Sequence, residues 1–111
     1  MDSYTVKTPQ SIFDQIKSIK NYIQDVLLSP TAAKHTSQQL LAGIRSLETF
    51  PERGFDADKK VGRQISKTKK TFGILIDNRK YLLFYTINPQ DKVVIVTHLL
   101  PVKSDYTKLF L

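Results

Sequence analysis

Cysteine is absent from the 111 residues, and histidine occurs only twice, at His35 and His98. Such a chain can hold neither a disulfide framework nor a thiolate metal site, and two histidines this far apart lack the spacing of a zinc site. Long apolar runs are missing as well. No stretch approaches the roughly 20 residues needed to cross a bilayer, and "MDSYTVKTPQ" lacks the basic-then-apolar pattern of a secretory signal. The expectation is a cytoplasmic protein with no metal, no cofactor and no membrane partner. Acidic residues are scarce too: ten Asp and Glu face seventeen Lys and Arg, giving a net charge of +7. That excess attracts nucleic acid, anionic membrane or acidic protein, and it says nothing about fold.

What is present reads as one domain over residues 1–111, with 41% hydrophobic content, enough to bury a single core. "SYTVK" alternates like a short strand with one buried face. Thr8 and Pro9 then read as an N-cap followed by proline at the first helical position. Ile12, Phe13, Ile16, Ile19, Ile23, Val26 and Leu27 recur at spacings of three and four, one apolar helical stripe. Ser29 and Pro30 repeat the cap signal at once, so a second helix must return antiparallel, burying Ala33, Leu40, Leu41, Ile44 and Leu47. Pro51 and Gly54 mark its stop.

Residues 52–70 change character, with seven cations against three carboxylates, or +4 of the net +7. This is expected to be a long polar connection, functional or mobile. From residue 72 the period becomes that of strands: "FGILI", "KYLLFYTI" and "KVVIVTHLL", joined by the turn-forming "DNRK" and "NPQD". The last two strands are apolar on both faces, as in a sheet covered by helices on one side and by loops or a partner on the other. The apolar end Leu109, Phe110 and Leu111 is expected to dock on the sheet or on a partner. The order β-α-α-β-β-β predicts an α+β fold, a helical hairpin packed on a mainly antiparallel sheet.

In this order, "SIFDQIKSIKNYIQDVLLSPTAAKHTSQQLLAGIRSLETFPERG", "RKYLLFYTI" and "HLLPVKSDYTKLF" resemble the RelE/ParE superfamily of bacterial toxins. The resemblance spans Tyr4 to Phe110. It implies a growth-arresting toxin of a type II, plasmid-stabilisation type module, held inactive by a cognate antitoxin protein. RelE-like members cleave mRNA on the ribosome, whereas ParE-like members poison DNA gyrase without hydrolytic chemistry. An inactive, antitoxin-binding relative is the third possibility. The expectation carried forward favours ribosome-dependent mRNA cleavage.

RNA cleavage needs proton-transfer groups and cations that stabilise the phosphorane. RelE-like relatives commonly carry an arginine after the tyrosine that opens the third strand, where this chain has Leu82. Arg79 and Lys80 from the turn and Arg63 from the polar connection are the candidates to stand in for it. His98 is a candidate acid or base, although a histidine satisfied by a neighbour within its strand is the preferred reading. Tyr106, in "KSDYTK", is a candidate for base stacking or proton transfer, with an anchor for the tail as the alternative. Tyr85 reads as a core aromatic. Lys59, Lys60, Lys67, Lys69, Lys70 and Lys103 are the candidate nucleic-acid-binding cations.

Overall fold

A computed structural model describes residues 3–105, 108 and 110. The chain runs through β1 (Thr5–Lys7), α1 (Gln10–Asp25), α2 (Pro30–Arg45), two 3₁₀ turns (Ser46–Glu48 and Pro51–Arg53), β2 (Phe55–Asp56), α3 (Ala57–Val61), β3 (Thr71–Ile76), β4 (Tyr81–Asn88) and β5 (Val93–Pro101). The predicted α+β architecture is present. One five-stranded sheet in the order β1-β5-β4-β3-β2 has the α1–α2 hairpin on one face. All pairings are antiparallel except β1 with β5, which run parallel with Thr5 opposite Val93.

Local chemistry explains the helix ends, with one correction. Pro9 is the N-cap and not the first helical residue: its extended backbone (φ −61°, ψ 150°) leads into Gln10, and its carbonyl accepts from the Ile12 N–H at 3.0 Å. Thr8 therefore lies outside the helix. Pro30 does open α2, and Ser29 holds the cap position without a side-chain bond, its carbonyl accepting from the Ala33 N–H. Leu28 makes the tight reversal with a left-handed backbone, φ 54°.

The hairpin buries Ile12, Ile16, Leu40 and Ile44 against Leu83, Tyr85, Val94, Val96 and Leu99 of the sheet. Close approach needs a missing side chain at Gly43, where a Cβ would lie 2.6 Å from Ile76 Cγ2. The apolar stripe of α1 outruns the sheet, however. Val26 and Leu27 stay 60% and 57% exposed, while Phe13 and Leu41 are only partly covered. Periodicity marks a face, and the length of the sheet beneath determines how much of that face is buried.

The polar connection is more structured than expected. Pro51 is held from below by the buried Tyr85 hydroxyl, which donates to its carbonyl at 2.6 Å. Burial pushes that phenol up to about 12. Asp56 caps α3 by accepting from the Lys59 N–H at 3.0 Å, and Gly62, at φ 91°, ends it. Asp58 then closes the loop: its carboxylate accepts from the Ile65 N–H at 2.9 Å and from the Thr71 N–H at 3.2 Å. Two carboxylates in a basic segment thus satisfy its backbone donors. β2 and α3, absent from the predicted order, lie where a loop was expected.

Candidate functional site

The face of the sheet opposite the helical hairpin is covered. There α3 and the following loop bring Ala57, Val61 and Ile65 over Leu82 and Phe84, with Phe55, Leu100 and Phe110 packed around them. Phe84 is fully buried and Leu82 is only 1% exposed. Phe110 docks on the sheet as expected of the tail, its ring centroid 6.1 Å from Phe84 and 4.9 Å from His98. Tyr106, Leu109 and Leu111 lie outside the described residues.

His98 sits in this apolar setting, half-buried between the Phe84 and Phe110 rings. Burial lowers its pKa below the ordinary histidine value, so at neutral pH the ring is uncharged. β4 and β5 fall out of step at Phe84 and Tyr85, leaving Thr97 as the extra residue of a bulge. The Thr97 hydroxyl donates to the Phe84 carbonyl at 3.2 Å and stands 3.0 Å from His98 Nδ1. A hydroxyl donates only one proton, so Nδ1 carries the hydrogen in this pair and Nε2 is left as the acceptor. The neighbour satisfying the histidine is therefore the adjacent threonine.

The β3–β4 turn presents the leading cations. Asp77, Asn78 and Arg79 take three successive left-handed backbones (φ 51°, 53° and 65°), and the Lys80 N–H donates to the Asp77 carbonyl at 3.1 Å. Aspartate and asparagine tolerate this region better than most side chains, which is why "DNRK" can turn without glycine. Arg79 and Lys80 are exposed. They line one groove of about 360 Å³ with Tyr81, Pro101, Val102 and Lys103. Burial, and then the Asp77 charge, raises the Tyr81 pKa above that of ordinary tyrosine. Three of the cations named from sequence thus meet at one end of the sheet.

The remaining candidates lie elsewhere. His98 precedes Pro101 by three residues on β5, roughly 10 Å at the rise of a strand. Arg63 is exposed just beyond α3, and Lys67 is exposed in the same loop. Lys59 and Lys60 are on the last turn of α3, with Lys60 Nζ 5.4 Å above the Phe55 ring. Lys70 pairs with Asp56 at 3.6 Å and lies over Phe72. Lys69 and Lys70 line a second groove with Asn88, Pro89 and Gln90. That groove is at the far end of β3, roughly 17–20 Å from the Arg79 turn. Lys70 is thus drawn to Asp56 at the start of α3, and Lys69 and Lys70 lie apart from the Arg79 turn. Sequence reasoning reads Asp77 only as a turn former; its burial depends on the helices packed beside the turn.

Among the described residues no group of three His, Cys, Asp or Glu is gathered to hold a metal ion, and no helix is long and apolar enough to cross a membrane. Among curated proteins, none matches this sequence. An arginine-substituted mutant of the E. coli toxin RelE in the free state is similar in structure, with a TM-score of 0.53 over 97% of this chain and 93% of that one; at 11% identity this likeness concerns the fold alone. The family model described as the ParE toxin of the type II toxin–antitoxin system parDE matches residues 7–106. With nearly its whole length matched to that model and folded as a RelE-like α+β sandwich, the chain belongs to the ParE toxin family of type II toxin–antitoxin systems.

Proposed function

We propose that this toxin arrests growth by binding and holding its target, DNA gyrase, and that the contact surface is the groove of Arg79, Lys80 and Lys103. The observation that carries this reading is Leu82. It occupies the position where RelE-like nucleases commonly hold an arginine, and it is 1% exposed beneath α3. The face it lies on is filled by Leu82, Phe84, Phe55 and Phe110, so the place of the nuclease arginine is taken up by apolar packing. The Arg79 groove combines three cations with the apolar Tyr81, Pro101 and Val102. This composition suits a protein surface carrying carboxylates, since charged rims steer association and apolar centres hold it. The cognate antitoxin neutralises the toxin, and both act in the cytoplasm.

Tightly controlled expression in a bacterial host, with pulse labelling within minutes of induction, tests the reading. DNA synthesis should fail first, with an SOS response and gyrase-linked breaks. Arg79→Ala combined with Lys80→Ala should abolish that effect while antitoxin binding survives.

The second reading is ribosome-dependent mRNA cleavage, with Arg79, Lys80, Arg63, Tyr106 and His98 as the reacting set and the lysines tracking phosphate. It is favoured by the meeting of Arg79, Lys80 and Lys103 in one groove. Collapse of protein synthesis first, with new 5′ ends inside codons, would replace gyrase by the ribosome as the target.

A further inference from the structure

Asp77 is the least satisfied polar group of the described chain. The residue is 7% exposed, yet its Oδ2 has no hydrogen-bond partner. A buried carboxylate oxygen without a donor is costly, and a charged donor is what relieves it best. Asp77 also lines a cleft of about 460 Å³ between the helical hairpin and the β3–β4 turn, with Ile19, Tyr22, Ile23, Leu27 and Tyr81. Lys80 shares the cleft but does not donate to that oxygen.

The surface around the cleft is apolar and uncovered. Tyr22 is 55% exposed, Leu27 57% and Leu28 80%, all at the hairpin tip where α1 outruns the sheet. Clustered exposure of this kind marks a contact surface. The charge requirement identifies what covers it. The chain as a whole, at +7, attracts acidic segments; the Asp77 cleft alone asks for a cation, and one that arrives with apolar neighbours.

We propose that this cleft is the seat of one arginine of the antitoxin, flanked by apolar residues that cover the hairpin tip, with its guanidinium paired to the Asp77 carboxylate. The inference rests on the toxin–antitoxin reading given above. Arginine fits better than lysine because its planar, weakly hydrated head stacks on aromatic faces, and Tyr22 and Tyr81 line the cleft. The seat would fix the register of a segment whose other contacts are non-directional, since only one placement puts the cation on the carboxylate.

The test uses n-butylguanidinium as the probe and Asp77→Asn as the variant. Asparagine keeps the shape and is at home at the φ of 51° found there, so the fold should survive, as a thermal melt would show. In the wild type, NMR titration with the probe should move the Ile23 and Leu27 methyl signals and the Tyr81 amide saturably. Asp77→Asn should weaken that binding at least tenfold, and Lys80→Gln, which removes a competing cation from the cleft, should strengthen it severalfold. In the complex with the cognate antitoxin, Asp77→Asn should raise Kd at least tenfold. Should Asp77→Asn melt abnormally, Leu27→Ser at the exposed rim, which leaves the turn untouched, should still raise the antitoxin Kd, and an unchanged Kd overturns the docking.

Probe binding that is absent, or unchanged by Asp77→Asn, overturns the cation seat. Asp77-dependent probe binding alongside an unchanged antitoxin Kd overturns the antitoxin as the source of the arginine. A chain that arrests no growth and binds no antitoxin, yet binds the probe through Asp77, refutes the toxin reading and leaves the seat standing.

Discussion

Leu82→Ala tests directly whether the second face of the sheet is closed core or open binding surface. Leu82 is 1% exposed and packs with Ala57, Val61 and Phe84. Removing its three outer carbons loses their transfer free energy and leaves a cavity that α3 can only partly collapse into, a combined cost of about 2–5 kcal/mol. At a urea slope of about 1.5 kcal/mol/M, a loss of about 3 kcal/mol lowers the unfolding midpoint by about 2 M. That would be a large share of the roughly 5–15 kcal/mol that holds a domain together. Circular dichroism during urea titration measures it. A solvent-facing leucine on an open surface would instead shift stability by no more than about 0.5 kcal/mol. A midpoint within 0.3 M of wild type, by that estimate of an exposed site, would refute the closed face and reopen it to RNA.

Three further predictions concern the groups that tie the sheet to its coverings. Tyr85→Phe removes the donor to the Pro51 carbonyl and should cost about 1–3 kcal/mol in urea titration. Because folding raises the Tyr85 pKa from 10.0 to about 12, its contribution is whole below pH 10 and is lost as pH rises from there towards 12. Wild type should therefore lose stability over that window more steeply than Tyr85→Phe. Asp58→Ala frees the Ile65 and Thr71 amides. Their hydrogen exchange should rise at least tenfold, with about 1.5–3 kcal/mol lost. For His98 the folded pKa lies below the ordinary 6.5. Its contribution is present above that pH and falls as acid protonates the unfolded chain first, so His98→Leu should flatten the decline in melting temperature below pH 6.5.

The α+β order was legible from the chain because its signals are local. Spacings of three and four with Ser29–Pro30 define two helices, and runs rich in β-branched and aromatic residues around "DNRK" and "NPQD" define the three main strands. Tyr85 as a core aromatic and Phe110 as a docking anchor were legible as well, since large apolar side chains in apolar runs seek burial wherever the chain goes. Membership of the toxin family was also carried by the order of these pieces.

Tertiary structure alone decided how far the α1 stripe is covered, because coverage depends on where the sheet beneath it ends. It decided that β1 joins β5 in parallel, a pairing across 88 residues between Thr5 and Val93 that no local pattern encodes. It decided that residues 52–70, polar by composition, fold into β2 and α3 and close a sheet face, since Asp56 and Asp58 find their backbone partners only once the loop is formed. It also separated Lys69 and Lys70 from Arg79, Lys80 and Lys103, and buried Asp77 at the cleft between turn and helices. Charge is counted along the chain, but its effect depends on which groups the fold brings within reach of one another.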